Sequence, residues 1–350
     1  MMEKLFLLAA VMLAMTPAYI RTVAAAPHPR VTVLATGGTI AGRGASPSDV
    51  TAYRAGVIGV DEMLAVVPEI QGVADVTGEQ LCNIDSKDMN DELWQRLVVR
   101  VNELLTRDDV DGLVITHGTD TMEETAFLLS LTVDSKKTVV LTGAMLPATA
   151  QDADGPRNLV DAVRVAAAPE AAGKGVLVVM NGEIYAAKEA AKLHTTGVAA
   201  FTSPDAGPLG HIGAGGAVFD REPRCHKHPT FTFETPLPRV DILYGHEGDD
   251  GVLVEAAFRA GARGIVYAGL GNGSIPVETE KRLAKAAAAG VIVVRASRIN
   301  GGAVVPADPS YTAAGFIDSG ALNPQKARVL LRLALANTGD RGEIQKMFQE

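Results

Sequence analysis

The sequence has few cysteines, few aromatic residues and no excess of positive charge. It contains 2 cysteines and 1 tryptophan among 350 residues, and aromatic residues make up 5%. Cys82 and Cys225 lie far apart without C-x-x-C spacing, which argues against a zinc knuckle or a redox pair and leaves one disulfide or two free thiols open. The formal net charge of −9 argues against nucleic-acid or anionic-membrane partners, because phosphate binding needs a Lys- and Arg-rich surface. We therefore expect a small-molecule partner.

The N-terminus lacks an apolar run long enough for a permanent anchor, which needs about 20 residues. Lys4 precedes an apolar run at residues 5–15, and small residues end at Ala26. This layout is typical of a signal peptide. We expect residues 1–26 to be removed on export, giving a periplasmic or secreted protein with no stable membrane anchor.

Short apolar runs alternate with helix-like segments after the N-terminus. The runs lie at residues 31–35, 112–117, 139–143 and 176–180, and helical spacing is found at residues 89–106 and 153–167. Strands that are apolar on both faces are typical of a parallel sheet covered by helices. The pattern predicts an α/β fold, with a larger N-terminal, mostly parallel-sheet domain at residues 30–218 that holds the candidate catalytic residues.

Glycine and proline interrupt this alternation between residues 207 and 238, which indicates a linker or a peripheral hairpin. We place the linker at residues 219–238 and a smaller C-terminal α/β domain at residues 239–350. Its strands are predicted at residues 240–244, 264–270 and 291–297, and its helices at residues 252–260 and 277–289. The last long helix begins at Asn323 and Pro324, an N-cap residue followed by proline.

A glycine-rich segment, ATGGTIAG at residues 35–42, follows the first strand. It is not a dinucleotide loop, because Thr39 stands where G-x-G-x-x-G requires glycine. Glycines at the carboxyl end of a strand let the backbone approach a ligand closely. The Thr39 hydroxyl is therefore a candidate nucleophile, or else it caps a turn.

A second segment, DGLVITHGTDTMEETA at residues 111–126, places Thr119 and Asp120 between a buried strand and a helix. Thr121-x-x-Glu124 predicts a capping box for that helix. A helix N-terminus attracts anions and a carboxylate attracts cations, so the pair suits a zwitterion, although Asp120 could instead help the cap. We interpret His117 as a packed residue at the strand end without a catalytic role.

Two further segments carry polar candidates. Ser86 and Lys87 precede a helix that Asp88 or Asn90 would cap. Lys192 is isolated, and an isolated lysine is usually solvated. It becomes a functional candidate if it meets Thr119 and Asp120, where a lysine of lowered pKa could accept the threonine proton.

The motifs TGGTIAG, HGTDTMEETA, AG-x-GNG and LNPQKARVLL, in this order, resemble those of the exported type II bacterial L-asparaginases, a group that includes glutaminase-asparaginases. The resemblance extends from about residue 31 to the C-terminus. It implies hydrolysis of asparagine to aspartate and ammonia by a threonine nucleophile, with secondary glutaminase activity and with no cofactor or metal. It also implies a homotetramer whose sites are shared between subunits.

The resemblance assigns a role to each polar candidate. Thr39 corresponds to the nucleophile with Tyr53 beside it, and Thr119, Asp120 and Lys192 correspond to a second hydrogen-bonded group. Ser86 corresponds to the residue that binds the substrate α-carboxylate, and Asp120 to the one that binds its α-ammonium group.

The resemblance implies three further substrate-binding positions, and two of them, Lys87 and Ser274, depart from the family pattern. Lys87 replaces a Gln or Glu and would repel the α-ammonium group unless it points away or meets Asp88. Ser274 and Asp308 are the candidates for residues contributed by a neighbouring subunit. The alternatives are an amidase of the same fold that acts on glutamine or on a blocked or peptidyl amide, and a non-catalytic periplasmic amino-acid binder.

Overall fold

The computed structural model describes residues 28–224, 230–234 and 236–349. The predicted signal peptide, residues 1–26, and Cys225 lie outside the described residues. Cys82 is a free, half-buried thiol whose pKa is raised by burial. Within the described ranges, no helix combines the length and apolar character that a membrane crossing requires.

The N-terminal part alternates strands with helices. Its strands are β1 (Arg30–Gly37), β2 (Arg43–Gly44), β3 (Tyr53–Arg54), β4 (Asp75–Ile84), β5 (Gly112–Thr116), β6 (Thr138–Thr142), β7 (Val176–Met180), β8 (Glu183–Ala186), β9 (Ala191–Lys192), β10 (Phe201–Thr202), β11 (Gly210–Gly213) and β12 (Gly216–Phe219). Its helices are α1 (Val60–Ala65), α2 (Asp91–Thr106), α3 (Met122–Thr132) and α4 (Gly155–Ala167). Short 3₁₀ helices occur at Thr39–Ala41, Pro68–Gly72, Ser86–Asp88 and Pro169–Ala171.

The large sheet has the order β12-β11-β8-β7-β6-β5-β1-β4. The five strands from β7 to β4 run parallel, and β8, β11 and β12 extend that sheet in antiparallel fashion. Every residue of β5, β6 and β7 is buried, because helices cover both faces of the sheet. The expectation of a mostly parallel sheet is confirmed.

The stretch at residues 207–238, in which glycine and proline interrupt the alternation, begins with a hairpin. Strands β11 and β12 pair with each other, and Gly210 and His211 join the hairpin to β8. Of the two interpretations offered for residues 207–238, the hairpin holds for residues 210–219. Phe219, the last residue of β12, is also the first residue of the predicted linker at residues 219–238.

The C-terminal part is a second α/β layer structure. Its strands are β13 (Val240–Tyr244), β14 (Gly264–Gly269), β15 (Ile292–Ser297) and β16 (Ile317–Asp318), which form a parallel sheet in that order. Its helices are α5 (Val252–Arg259), α6 (Val277–Ala288), α7 (Pro309–Ala313), α8 (Pro324–Asn337) and α9 (Arg341–Gln349). The smaller α/β domain expected from the sequence is confirmed.

Helix α8 joins the two parts. As predicted, Asn323 caps it, accepting a hydrogen bond from the Lys326 backbone N–H at 3.0 Å. The helix packs against α3 of the N-terminal part and against β13 and β14 of its own sheet. Phe127 from α3 and Leu330 from α8 lie in one apolar cluster. The two parts therefore share a core.

Candidate active site

Glycines let three segments meet at the carboxyl edge of the large sheet. β1 lies between β4 and β5, so the residues that follow these strands are neighbours. A Cβ on Gly38 would lie 2.4 Å from the Gly118 Cα, and a Cβ on Gly37 would lie 2.4 Å from the Ile84 carbonyl oxygen. Both glycines also have positive φ, at 108° for Gly37 and 82° for Gly38. Only glycine permits this approach.

Thr39 and Tyr53 form a hydroxyl pair at this edge. Thr39 begins a 3₁₀ helix immediately after Gly38 and is 8% exposed. Its Oγ1 lies 2.6 Å from the Tyr53 Oη, which the β2–β3 hairpin carries back over the segment. A short hydrogen bond between two hydroxyls orients both and provides a path for a proton.

Thr119, Asp120 and Lys192 form a second group. The Lys192 Nζ donates hydrogen bonds to the Thr119 Oγ1 at 2.9 Å and to an Asp120 carboxylate oxygen at 2.6 Å. Lys192 comes from β9, which pairs with β10, and its side chain is 15% exposed while that of Asp120 is 61% exposed. Lys192 therefore meets both Thr119 and Asp120, which was the condition for treating it as a functional candidate. The Asp120 carboxylate stays open to a cationic ligand.

Ser86 is the buried polar residue between these groups. It is 2% exposed, and its Oγ has no hydrogen-bond partner among the described residues. A Cβ on Gly118 would lie 2.5 Å from that Oγ, so the serine faces the turn before Thr119. A buried hydroxyl without a hydrogen-bond partner costs folding free energy, and a bound ligand can supply the missing partner.

The predicted capping box at Thr121 and Glu124 is wrong. Thr121 occupies the N-cap position of α3 but makes no capping bond. Its hydroxyl instead donates to the Ser86 carbonyl oxygen at 2.9 Å. Its φ of −120° and ψ of 15° depart from the extended conformation that side-chain capping usually has. Thr121 thus ties the Ser86 segment to the start of α3.

Lys87 pairs with a residue that the sequence analysis did not consider. Its Nζ lies 2.5 Å from an Asp85 carboxylate oxygen, rather than meeting Asp88. The pair raises the pKa of Lys87, whose side chain is 65% exposed. Asn90, one of the two predicted caps, accepts the Leu93 N–H at 3.0 Å and begins α2.

His117 is fully buried, as predicted for a packed strand-end residue. Its Nδ1 lies 2.7 Å from the Gly118 carbonyl oxygen, which can only accept, so Nδ1 carries the proton. Its Nε2 then accepts from the Thr125 hydroxyl at 3.1 Å, and Thr125 accepts from the Trp94 indole at 3.0 Å. Burial lowers the pKa of His117 to about 4.

Ser274 and Asp308 lie in the C-terminal part. Ser274 closes a tight turn by exchanging backbone hydrogen bonds with Leu270. Asp308 caps α7 and accepts from the Ser310 N–H at 2.9 Å, which lowers the pKa of Asp308. Among the described residues, no hydrogen bond joins either one to the groups around Thr39 and Thr119.

Behind the Asp120 group lies a buried ion pair that the sequence analysis missed. The Lys326 Nζ of α8 is 3.6 Å from a Glu123 carboxylate oxygen, and it donates to the Ala190 carbonyl oxygen. The Asn323 Nδ2 donates to the same Glu123 oxygen at 2.7 Å. The available signal was a lysine in the first turn of a long helix, within LNPQKARVLL, where a positive charge is unfavourable without a partner.

Hydroxyl, lysine and carboxylate groups gathered at the edge of a sheet are typical of a hydrolase, and this one is built from two α/β domains. In the described ranges, no group of His, Cys, Asp and Glu is arranged to hold a metal ion. The chain belongs to the asparaginase family. Residues 30–224 match the family described as "Asparaginase, N-terminal", and residues 239–348 match the "Glutaminase/Asparaginase C-terminal domain".

Individual relatives agree with this assignment. The chain is 48% identical to L-asparaginase 2 of Bacillus subtilis, covering 92% of this chain and 86% of that protein. It is 46% identical to a probable periplasmic L-asparaginase of Haemophilus influenzae, covering 93% and 94%. A crystal structure of a probable cytoplasmic L-asparaginase from Campylobacter jejuni matches with a TM-score of 0.87 at 46% identity, covering 92% and 99%.

Proposed function

We propose that this protein hydrolyses the side-chain amide of L-asparagine to L-aspartate and ammonia, with Thr39 as the nucleophile. The observation that carries the proposal is that the Thr39–Tyr53 pair and the Thr119–Asp120–Lys192 group lie at the same sheet edge, where Gly38 packs against Gly118. These groups come from four separate segments, and family membership supports the same chemistry.

The nucleophilic step uses the hydroxyl pair. The Thr39 Oγ1 attacks the amide carbonyl carbon, its proton passes to the Tyr53 Oη, 2.6 Å away, and the tyrosine passes its own proton on to the amide nitrogen. The N-terminal end of α3 stabilises the negative oxygen that develops. Collapse of the tetrahedral intermediate breaks the C–N bond, the protonated nitrogen leaves as ammonia, and water hydrolyses the resulting ester.

The second group binds and polarises the substrate. Lys192 donates to both Thr119 and Asp120, so the Thr119 hydroxyl keeps its own proton for the substrate. The Asp120 carboxylate pairs with the α-ammonium group, and the unpartnered Ser86 hydroxyl donates to the α-carboxylate. Both ends of a free amino acid are thus recognised.

Glutamine is the second substrate we propose, because the C-terminal match is to a glutaminase/asparaginase domain. One additional methylene is worth only about 1–3 kcal/mol in a pocket, so the two activities can coexist. The pairing of Lys87 with Asp85 disfavours a blocked or peptidyl amide, because that lysine is already neutralised by a carboxylate. The complete set of reactive hydroxyls disfavours a non-catalytic binder.

We also propose export and assembly. The signal-peptide layout of residues 1–26 and the periplasmic relative support a periplasmic or secreted location, although one matching structure is named cytoplasmic. In the homotetramer that the resemblance implies, Ser274 and Asp308 complete the site of a neighbouring subunit. Their positions outside the Thr39 and Thr119 groups of their own chain agree with this arrangement.

Ammonia release tests the proposal. Purified mature protein is offered L-asparagine, L-glutamine and an N-blocked asparagine in parallel. We expect the fastest release from free asparagine, and a loss of at least about a thousandfold in kcat for Thr39→Ala with an unchanged melting temperature. Release from the blocked substrate alone, or no release at all, contradicts the proposal. Wild-type turnover by the folded Thr39→Ala variant removes Thr39 from the mechanism.

A further inference from the structure

Lys326 contacts both segments that carry the second reactive group. It lies in the first turn of α8, in the C-terminal domain, yet its Nζ reaches into the N-terminal domain. There it donates to the carbonyl oxygen of Ala190, two residues before Lys192. It also lies 3.6 Å from the carboxylate of Glu123, three residues after Asp120.

This connection is buried and shared with Asn323. Lys326 is 3% exposed and Glu123 is 5% exposed. Asn323 caps α8 through its Oδ1 and donates to Glu123 through its Nδ2, so the carboxylate is fixed from two sides. Burial lowers the pKa of Lys326, while the carboxylates of Glu123 and Glu189 oppose that effect.

A buried ion pair of this kind is weak evidence for stability. Removing two charges from water costs several kcal/mol each, and apolar residues of similar volume often serve stability as well. Its contribution is instead to fix the positions of two segments relative to each other. The Lys192 strand and the α3 turn are more than 60 residues apart in sequence, and the α8 lysine touches both.

We propose that Lys326 is a positioning residue: from the neighbouring domain, it keeps Lys192 within hydrogen-bonding distance of Thr119 and Asp120. The inference rests on the proposed function, since it concerns the geometry of that reaction. Misplacing a reacting group by about 1 Å can cost a hundredfold in rate. The expected effect is therefore on kcat.

The test compares Lys326→Met with the double variant Glu123→Gln/Lys326→Met in the full mature chain. Lys326→Met leaves Glu123 charged and unpaired, so it loses both stability and activity. The double variant removes the buried charge and regains melting temperature, but the Ala190 carbonyl still lacks its donor. We expect kcat for asparagine to stay about tenfold to a hundredfold below wild type in both, with KM changed by less than about threefold.

Arg332→Gln provides a matched control. Arg332 lies on the same helix and pairs with the half-buried Asp91 of the other domain, at 2.9 and 2.7 Å, and among the described residues no hydrogen bond joins it to Ala190 or Glu123. We expect its kcat to remain within about twofold of wild type.

Three results would overturn the positioning role. The first is wild-type kcat in the double variant. The second is recovery of kcat in parallel with melting temperature from Lys326→Met to the double variant. The third is an equal loss of kcat in Arg332→Gln. Absence of ammonia release by the wild-type protein refutes the proposed function instead, so the two failures are distinct.

Discussion

Glu124 makes the stability of this protein depend on pH in an unusual direction. It lies in the first turn of α3, facing α8, where burial outweighs the attraction of Arg328 and Arg332 and the neighbouring Glu123 adds repulsion. The pKa of Glu124 rises from 4.5 to about 7. The folded state therefore retains a proton that the unfolded chain has released, and each pH unit between these values costs about 1.4 kcal/mol of stability.

The contribution of Glu124 to the free energy of unfolding is fully present below pH 4.5 and is lost as pH rises to about 7. The total loss is about 3 kcal/mol. His117 has the opposite effect, because its pKa falls from 6.5 to about 4 and its contribution is lost as pH falls through that range. Between pH 4.5 and 6.5 the two effects largely cancel.

Glu124→Gln removes one of these opposing effects. Urea unfolding is measured from pH 4.5 to 7.5 at one protein concentration, so that any subunit association is held constant. We expect the free energy of unfolding of the variant, relative to that of wild type, to rise by about 3 kcal/mol between pH 4.5 and 7.5. If the free energies of unfolding of wild type and variant change with pH in parallel over the whole range, Glu124 titrates normally and our account of its burial is wrong.

Two further predictions concern the site. Tyr53→Phe removes only the hydroxyl that lies 2.6 Å from Thr39, so kcat for asparagine should fall about a hundredfold or more, with an unchanged melting temperature; an active variant would assign the proton to another acceptor. Lys87→Gln should change KM for asparagine by less than about twofold, because the Lys87 side chain is 65% exposed and water screens the change in charge. A larger fall in KM would mean that the Lys87 charge acts on the substrate ammonium.

The fold was predictable where burial leaves a pattern in the sequence. Strands β5, β6 and β7 are buried along their whole length and appear as unbroken apolar runs. The cap of α8 was predictable because Asn-Pro is a local signal. Two-residue strands such as β2 and β9 were not identified, since so short an element has no period, and neither was α9.

The site was predictable from motifs but not from geometry. Nothing local brings Lys192 to Thr119, 73 positions away, and only the family resemblance joined them. The capping box at Thr121 failed because a tertiary acceptor, the Ser86 carbonyl, captured the hydroxyl. Lys326 was missed because its partners, the Ala190 carbonyl and the Glu123 carboxylate, lie in a distant part of the sequence.

The apolar cluster that contains both Phe127 and Leu330 constrains how substrate reaches the site. Hinge opening between the domains would expose this interior to water and break the Arg332–Asp91 and Lys326–Glu123 contacts. The segment that carries Thr39 and Tyr53 lies outside this cluster, and its strands β2 and β3 pair over two residues each. We therefore expect substrate to enter and product to leave while the junction between the two domains stays closed.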